Sequence, residues 1–365
     1  MTGADGFIGR NLLFKLSEDC QYDIFKFTRE DTLETLASQL AIVDFVVHLA
    51  GENRPVNQDL YISTNVGLTK FICDTLKFLN RKVPIIFASS TQVKQENSYG
   101  ISKLGAEAEI KQLSLTNGNE IFIYRLPGVF GKWSRPNYNS VVATFCHNIA
   151  HDLHISISDP EKIISLVYID EVIASFMSQI NEDDIEKNIY VEIQPIYEIS
   201  LSNLAAQIET FTNSRNSLIS ERVGNGLTRA LYATYMSFLP KQKVSYKVPV
   251  HGDERGIFVE MLKTPDTGQF SFFTAKPGIV RGNHYHHTKV EKFLVIQGYA
   301  SFGFRNIVTQ ETFNIETSGD DPTIVETLPG WAHNITNIGK QDMIVMLWAN
   351  EVFDRNKSDT YAAEV

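Results

Sequence analysis

The sequence predicts a two-part chain: an α/β domain built on a doubly wound parallel sheet, followed by a small all-β domain. Three observations predict it. Over roughly the first 150 residues, short apolar runs rich in β-formers alternate with segments of helical period, the pattern of a parallel sheet covered by helices on both faces. Past residues 240–246 the helical period stops and short strand-like runs replace it. Between Gly278 and Gly298 the chain reads GIVRGNHYHHTKVEKFLVIQG, with His284 and His286 at i and i+2. Side chains so spaced share a face only on an extended backbone. A chain of 365 residues is long enough for two cores.

The bulk properties exclude several partners. A net charge of -10 argues against a nucleic-acid backbone or an anionic membrane as the main partner. No apolar run is long enough to span a bilayer and no basic-then-apolar signal pattern opens the chain, so a cytoplasmic protein with no membrane association is expected. Cys20, Cys73 and Cys146 form no C-x-x-C pair and read as small buried hydrophobes, not as disulfides or thiolate ligands.

The chain opens MTGADGFIGRNLL, where Gly3, Gly6 and Gly9 precede a helical pattern through Ile8, Leu12, Leu13 and Leu16. Glycines in such a loop permit a tight turn and let a pyrophosphate approach backbone N–H groups at a helix N-terminus. Only Met1 and Thr2 stand before Gly3, where a sheet of this kind has its central strand. The expectation is therefore that the natural chain begins several residues upstream. Strand-like YDIFKF, VDFVVHLAG, VPIIFASS and EIFIYRL follow, each leading into a helical pattern, near 31–41, 58–80, 100–117 and 139–151. Further helices are predicted over 199–238, then the change to strands places a domain border at 245/246.

Chemistry-bearing residues sit at the ends of these strands. Tyr99 and Lys103, at i and i+4, share one helix face, and an ammonium there is expected to lower the tyrosine pKa towards proton exchange with a carbinol or carbonyl oxygen. Ser90 closes the strand FASS and is placed to bond the same oxygen. After the second strand, FTRED offers Arg29, which suits the 2′-phosphate of NADP, followed by Glu30 and Asp31, which suit NAD or the start of the next helix. Residues 125–145 are rich in Arg, Lys, Asn and aromatics for a strand-to-helix connection.

Together these passages resemble the extended short-chain dehydrogenase/reductase family, its sugar-nucleotide branch, over roughly residues 1–240. The resemblance implies a Rossmann-type domain over 1–245. It implies a dinucleotide, NADP(H) on the strength of Arg29, held by Gly3, Gly6, Phe7, Ile8, Gly9, Arg29, Leu49, Ala50, Gly51, Tyr99 and Lys103. Ser90 and Tyr99 would grip the reacting oxygen, with Lys103 tuning the tyrosine and bonding the nicotinamide ribose. It also makes Arg125, Lys132, Arg135, Asn137 and Asn139 candidates for the diphosphate and sugar hydroxyls.

In the C-terminal part, His284, His286, Glu291 and His333 are all of the type that binds a divalent metal, and their N/O donors suit zinc. Gly278, His284, His286, Glu291 and Gly298 resemble the first motif of the cupin family at every spacing. Gly330, His333 and Asn337 resemble the second, with Pro329 displaced by one place. The resemblance implies a cupin jelly roll over 246–365 with one Zn2+ per chain. His287 is expected to face outward.

A reductase domain joined to a metal cupin is similar to the bifunctional capsule and O-antigen enzymes of the UDP-N-acetyl-L-fucosamine route, which make UDP-2-acetamido-2,6-dideoxy-L-talose. That likeness implies a UDP-linked 4-keto-6-deoxy-N-acetylhexosamine, epimerised at C3 by the cupin and reduced at C4 by the other domain. Whether the metal is catalytic or structural stays open, and Lys276, Arg281 and Tyr285 stand undistinguished as bases for C3. Two other readings remain: a reductase whose cupin only dimerises and stabilises, and a non-enzymatic sensor, against which Tyr99 and Lys103 count. Cupins commonly pair through their strands, so a homodimer is expected.

Overall fold

The strands Ile85–Ser90 and Ile121–Leu126 are buried along almost their whole length, which is why their sequences read as continuous apolar runs and not as alternating ones. The computed structural model describes residues 1–53, 57, 60–181, 189–248, 251–253, 256–258, 262, 268–351 and 358–365. They form two compact units, Met1–Ser140 with Ile164–Ile199, and Val141–Ile163 with Ser200–Val365.

In the first unit, α1 (Phe7–Ser17) and α2 (Leu33–Leu40) precede β1 (Val46–His48), α3 (Leu68–Phe78), β2 (Ile85–Ser90), α4 (Ser98–Asn117) and β3 (Ile121–Leu126). β1, β2 and β3 pair in parallel, with Val46 opposite Ile85 and Ile85 opposite Ile121. Ile72, Leu76, Ile110 and Leu113 from α3 and α4 bury against Ile85, Phe87 and Ile123. α4 starts on Asn97, whose side chain accepts from the Gly100 N–H, and stops at Gly118 in the left-handed conformation. β4 (Gly128–Phe130), β5 (Ile163–Tyr168), α6 (Ile169–Asn181) and β6 (Tyr197–Ser200) follow, with the strands in the sheet order β4-β5-β6, whereas α5 (Val141–Ala150), between β4 and β5 in the chain, belongs to the second unit.

One expected strand is not formed. Residues 22–27 make only an isolated parallel bridge, Phe27 to Thr2, and Thr2 bridges His48 on its other side. A strand needs a ladder partner, and here the neighbour is Met1–Thr2, so pairing reduces to Phe27 N–H to Met1 O at 2.9 Å and Gly3 N–H to Phe27 O at 3.2 Å. The helix expected over 58–80 is also divided, since Tyr61–Gly67 is wound as a π-helix before α3.

In the second unit, α7 (Leu201–Ser217) and α8 (Gly226–Ser237) are followed by a 3-10 turn at Lys241–Lys243 and then, among the described residues, by strands. These are β7 (Ser245–Lys247), the hairpin β8 (His251–Asp253) and β9 (Gly256–Phe258), β10 (Gln269–Ala275), β11 (Val280–Tyr285), β12 (Glu291–Gln297), β13 (Tyr299–Asn306), β14 (Thr312–Ser318), β15 (Thr323–Glu326), β16 (Trp331–Asn337), β17 (Met343–Ala349) and β18 (Tyr361–Ala362). Two five-stranded sheets result, β10-β17-β12-β15-β7 and β14-β13-β16-β11-β18, the double-sheet jelly roll expected of the C-terminal part. Phe293, Phe302, Ile335, Val345 and Trp348 are among the residues filling it.

The border read from the sequence at 245/246 runs through this unit. Arg215 of α7 pairs with Glu326 of β15 and donates to the Lys243 carbonyl, and Glu326 in turn meets Lys292 of β12 at 2.8 Å. Among the described residues no helix is long and apolar enough to cross a membrane.

Candidate active site and metal centre

The glycine loop is shaped by close approach. Gly3 has φ +68, and a Cβ there would lie 2.6 Å from the Ala50 nitrogen and 2.8 Å from the Leu49 carbonyl carbon. A Cβ on Gly9 would meet the Gly3 carbonyl oxygen at 2.2 Å, so α1 can rest on the loop only without one. Gly6 is the N-cap of α1 and offers no side chain to its first turn, leaving the end around Phe7, Ile8 and Gly9 suited to an anion. Gly9→Ala is expected to force loop and helix apart at a cost of about 1–3 kcal/mol. The check is a fluorescence titration with NADPH, where affinity should fall on the order of 10- to 100-fold.

Directly after Ala50, Gly51 lies beside Lys103, where a Cβ would be 3.1 Å from both Lys103 Nζ and Asn65 Oδ1. Asn65 sits in the π-turn and fixes this segment: its Oδ1 accepts from Glu52 N–H at 2.7 Å, while its Nδ2 donates to Glu52 O at 3.0 Å and Ser102 Oγ at 2.9 Å. His48, fully buried, is held between Thr2 Oγ1 at 2.7 Å and Thr69 Oγ1 at 2.8 Å, and burial pushes it down to about 3.

Ser90, Tyr99 and Lys103 come together at the end of β2 and the first turns of α4. Ser90 hydrogen-bonds the Tyr99 hydroxyl, whereas Ser89, on the opposite side of the strand, donates to Glu107 at 2.6 Å. Lys103 is buried, donates from Nζ to Ala88 O at 2.7 Å and lies 4.9 Å from the Phe87 ring centroid. Burial pushes its ammonium down to about 8. The expected lowering of the tyrosine pKa is not found. Burial raises Tyr99, the Ser90 hydrogen bond offsets only part of that, and the lysine proton is directed at a backbone carbonyl.

Arg29 is exposed and its Nη2 lies 2.9 Å from Glu52 Oε2. Asp31 does not start the next helix: its Oδ2 accepts from Thr28 N–H at 2.7 Å, and Thr32 caps α2. The proposed sugar-nucleotide residues divide into two groups. Arg125 donates to both oxygens of buried Glu107, at 2.9 and 2.6 Å, and lies over the Tyr190 ring. Lys132 is buried 2.9 Å from Asp170. Both cations are thus engaged inside the unit, while Arg135, Asn137 and Asn139 are exposed on the loop before α5, with Arg135 5.1 Å over the Tyr138 ring. Glu107 was not singled out by sequence; its place one turn beyond Lys103, at i+4, is the signal that could have found it.

In the second unit the four expected ligands converge. His284 is on β11, His286 one residue past its end, Glu291 opens β12 and His333 lies on β16 opposite His284. One ligand atom from each lies within 4.8 Å of all the others. Glu291 Oε2 is 3.3 Å from both His286 Nε2 and His333 Nε2, and Lys289 Nζ is 3.5 Å from Oε1. His333 is buried, yet its Nε2 meets no partner in hydrogen-bonding geometry among the described residues, an orphaned lone pair that a divalent cation would satisfy. Burial lowers His333 and pushes His284 down to about 4. Burial works to raise Glu291, but His286 and His333 beside it outweigh this and hold it well below the ordinary carboxylate range. Three imidazoles around a carboxylate form a donor set that fits zinc or a similar ion.

Of the three groups considered for C3, Lys276 and Arg281 are exposed, Arg281 5.3 Å over the Phe273 ring, and Tyr285 is buried against Tyr361. His287 is half-buried and contacts the Tyr285 and Tyr361 rings.

Residues 1–191 match the NAD dependent epimerase/dehydratase family and residues 251–361 match the polysaccharide biosynthesis C-terminal domain. A UDP-2-acetamido-2,6-beta-L-arabino-hexul-4-ose reductase from Pseudomonas aeruginosa is 52% identical over 365 residues, covering 100% of this chain and 98% of that protein. The crystal structure of the capsular polysaccharide assembling protein CapF from Staphylococcus aureus is similar with TM-score 0.69 and 39% identity, covering 100% of this chain and 99% of CapF. A UDP-glucuronic acid 4-epimerase from Bacillus cereus, with TM-score 0.55, 18% identity and 65% of this chain covered, shares the fold of the corresponding part. With its glycine loop, its Ser90–Tyr99–Lys103 grouping and a likeness running the full length of a named reductase, the chain belongs to the NAD dependent epimerase/dehydratase family.

Proposed function

We propose that the chain converts a UDP-linked 4-keto-6-deoxy-N-acetylhexosamine in two successive steps, epimerisation at C3 in the jelly roll and reduction at C4 in the dinucleotide-binding unit, giving UDP-2-acetamido-2,6-dideoxy-L-talose. The observation that carries this reading is the meeting of Ser90, Tyr99 and Lys103 at the end of β2, in a chain similar over its whole length to a 4-ketose reductase. The order follows from chemistry. The C3 proton is acidic only while the ketone at C4 can delocalise the carbanion, and reduction removes that ketone.

The Ser90 and Tyr99 hydroxyls would hold the C4 oxygen, and Tyr99 would give its proton to the alkoxide that forms there. Lys103, anchored to Ala88 O, would keep positive charge beside that oxygen below about pH 8. The glycine loop, with Leu49, Ala50 and Gly51, would hold a nicotinamide dinucleotide, which supplies the hydride when bound. Arg29 favours NADP(H) over NAD through its fit to a 2′-phosphate. Arg135, Asn137 and Asn139, exposed on their loop, remain proposed for the diphosphate and sugar.

His284, His286, Glu291 and His333 would hold one Zn2+, which supplies Lewis acidity beside a carbonyl. Glu291→Gln weakens the donor set at its centre and is expected to lower metal content and to slow deuterium uptake at C3 by about 10- to 100-fold. Unchanged uptake in a folded, metal-poor variant would leave the ion a structural role only. The proposal includes a homodimer, measured by light scattering. The whole reading is tested by incubating the chain with NADPH and the UDP-4-keto-6-deoxy sugar and assigning the product stereocentres by NMR. A product altered at C4 alone would restrict the chain to reduction.

A further inference from the structure

We infer that Asp359, far from the ligands in sequence, is a positioning residue for the metal ligand His286. The inference rests on reading the three histidines and Glu291 as a metal site. His286 and Glu291 stand at the two ends of a short turn, so the shape of that turn decides whether both donors face one point.

Asp359 grips the turn along its length. Its Oδ1 accepts from the His287 N–H at 2.9 Å, and its Oδ2 accepts from the N–H groups of Thr288 and Lys289, both at 2.7 Å, and from Thr288 Oγ1 at 3.0 Å. Three successive backbone N–H groups converge on one carboxylate only where the chain curls around it, an anion nest filled from within the protein. The residue's backbone takes the next contact: the Asp359 carbonyl accepts a hydrogen bond from His286 Nδ1. A carbonyl can only accept, so Nδ1 donates to it, and this turns the other ring nitrogen, Nε2, towards Glu291 Oε2 at 3.3 Å. Asp359 thereby sets the turn and the ring orientation together.

The clamp has a backing outside the strands. Thr288 Oγ1 also accepts from Arg229 Nη2 on α8, which lies 3.1 Å from Glu351 Oε2. β18, which starts two residues after Asp359, pairs with β11 with Ala362 opposite His284 and Tyr361 opposite Tyr285. The C-terminal strap is therefore registered on the strand that carries the first ligand.

The test uses the full chain, stripped of metal and titrated with Zn2+ against a chromophoric chelator. The wild type is expected to take up one ion per chain, and Asp359→Ala to bind it about 10- to 100-fold more weakly. Asp359→Asn, which keeps one acceptor oxygen, should fall between the two, and Asp320→Asn, which alters a carboxylate bonded to exposed Tyr299, should bind as the wild type does. Nitrogen-15 histidine spectra provide a second readout, with a hydrogen-bonded His286 Nδ1–H resonance expected in the wild type and weakened in Asp359→Ala. A wild type that binds no ion would sink the metal reading itself. One ion in the wild type with equal affinity in both Asp359 variants, or an unaltered His286 Nδ1–H resonance, would overturn the positioning role alone.

Discussion

Tyr99→Phe is expected to lower C4 reduction by roughly 10²- to 10⁴-fold, the contribution of a positioned proton donor. The substitution deletes one oxygen, the atom that Ser90 bonds and that is proposed to protonate the alkoxide at C4. The ring stays, and with it the packing on Tyr61, whose centroid is 5.9 Å away, so folding should be unaffected. Deuterium uptake at C3 should persist, because it depends on the ligand cluster and not on this hydroxyl. NADPH oxidation and C3 exchange, followed in the same sample, would separate the two activities. Oxidation at the wild-type rate would remove Tyr99 from the reaction, and loss of both activities would point to damage to the fold.

Glu326→Ala is expected to be the most destabilising single change considered. Glu326 is fully buried between Lys292, 1% exposed, and Arg215. Burial works to raise the Glu326 carboxyl, and the two cations outweigh it and hold it below its ordinary range. Burial works to lower Lys292, and Glu326 outweighs it and holds the ammonium well above the ordinary lysine value. Removing the carboxylate leaves two cations without their partner, at a cost of about 3–5 kcal/mol. Urea unfolding followed by tryptophan fluorescence reads this, since Trp331 and Trp348 lie in the jelly roll. Combining Glu326→Leu with Lys292→Met and Arg215→Met should recover most of the loss, because a packed apolar cluster matches a buried ion network. The sign with pH follows. The Glu326 contribution is present above the unfolded carboxylate pKa and is lost as pH falls through its depressed folded value, while that of Lys292 is present below the unfolded lysine pKa and is lost as pH rises through its elevated one. A loss for Glu326→Ala well short of that of a broken buried pair would mean water reaches the cluster.

Much of what was legible in the sequence had its partners close along the chain. His284 and His286 are two residues apart and Tyr99 and Lys103 one helical turn, so period brings each pair together, while Glu291 and the distant His333 were legible through their likeness to the cupin motifs. Arg125 and Lys132 are candidates for the sugar nucleotide through the resemblance and a local richness in polar residues, and what the sequence did not show is their ion-pair partners, Glu107 and Asp170, 18 and 38 residues away. Asp359 is 73 residues from His286, and no local pattern joins them. YDIFKF has strand composition without a full ladder to join, since composition describes a residue's preference and pairing depends on what lies beside it. The π-turn at 61–67 leaves no mark in the hydrophobic period.

The path of the chain has a last consequence for anyone wishing to dissect the protein. Residues 141–163 leave the company of their sequence neighbours and settle with α7, α8 and the strands, and the polypeptide then returns before crossing over for good. No single scission can liberate either half intact. A cut at 245 would give a barrel stripped of Arg215 and Arg229, and one at 199 would still orphan α5, so poor behaviour of such a piece would report on missing helices and not on missing chemistry.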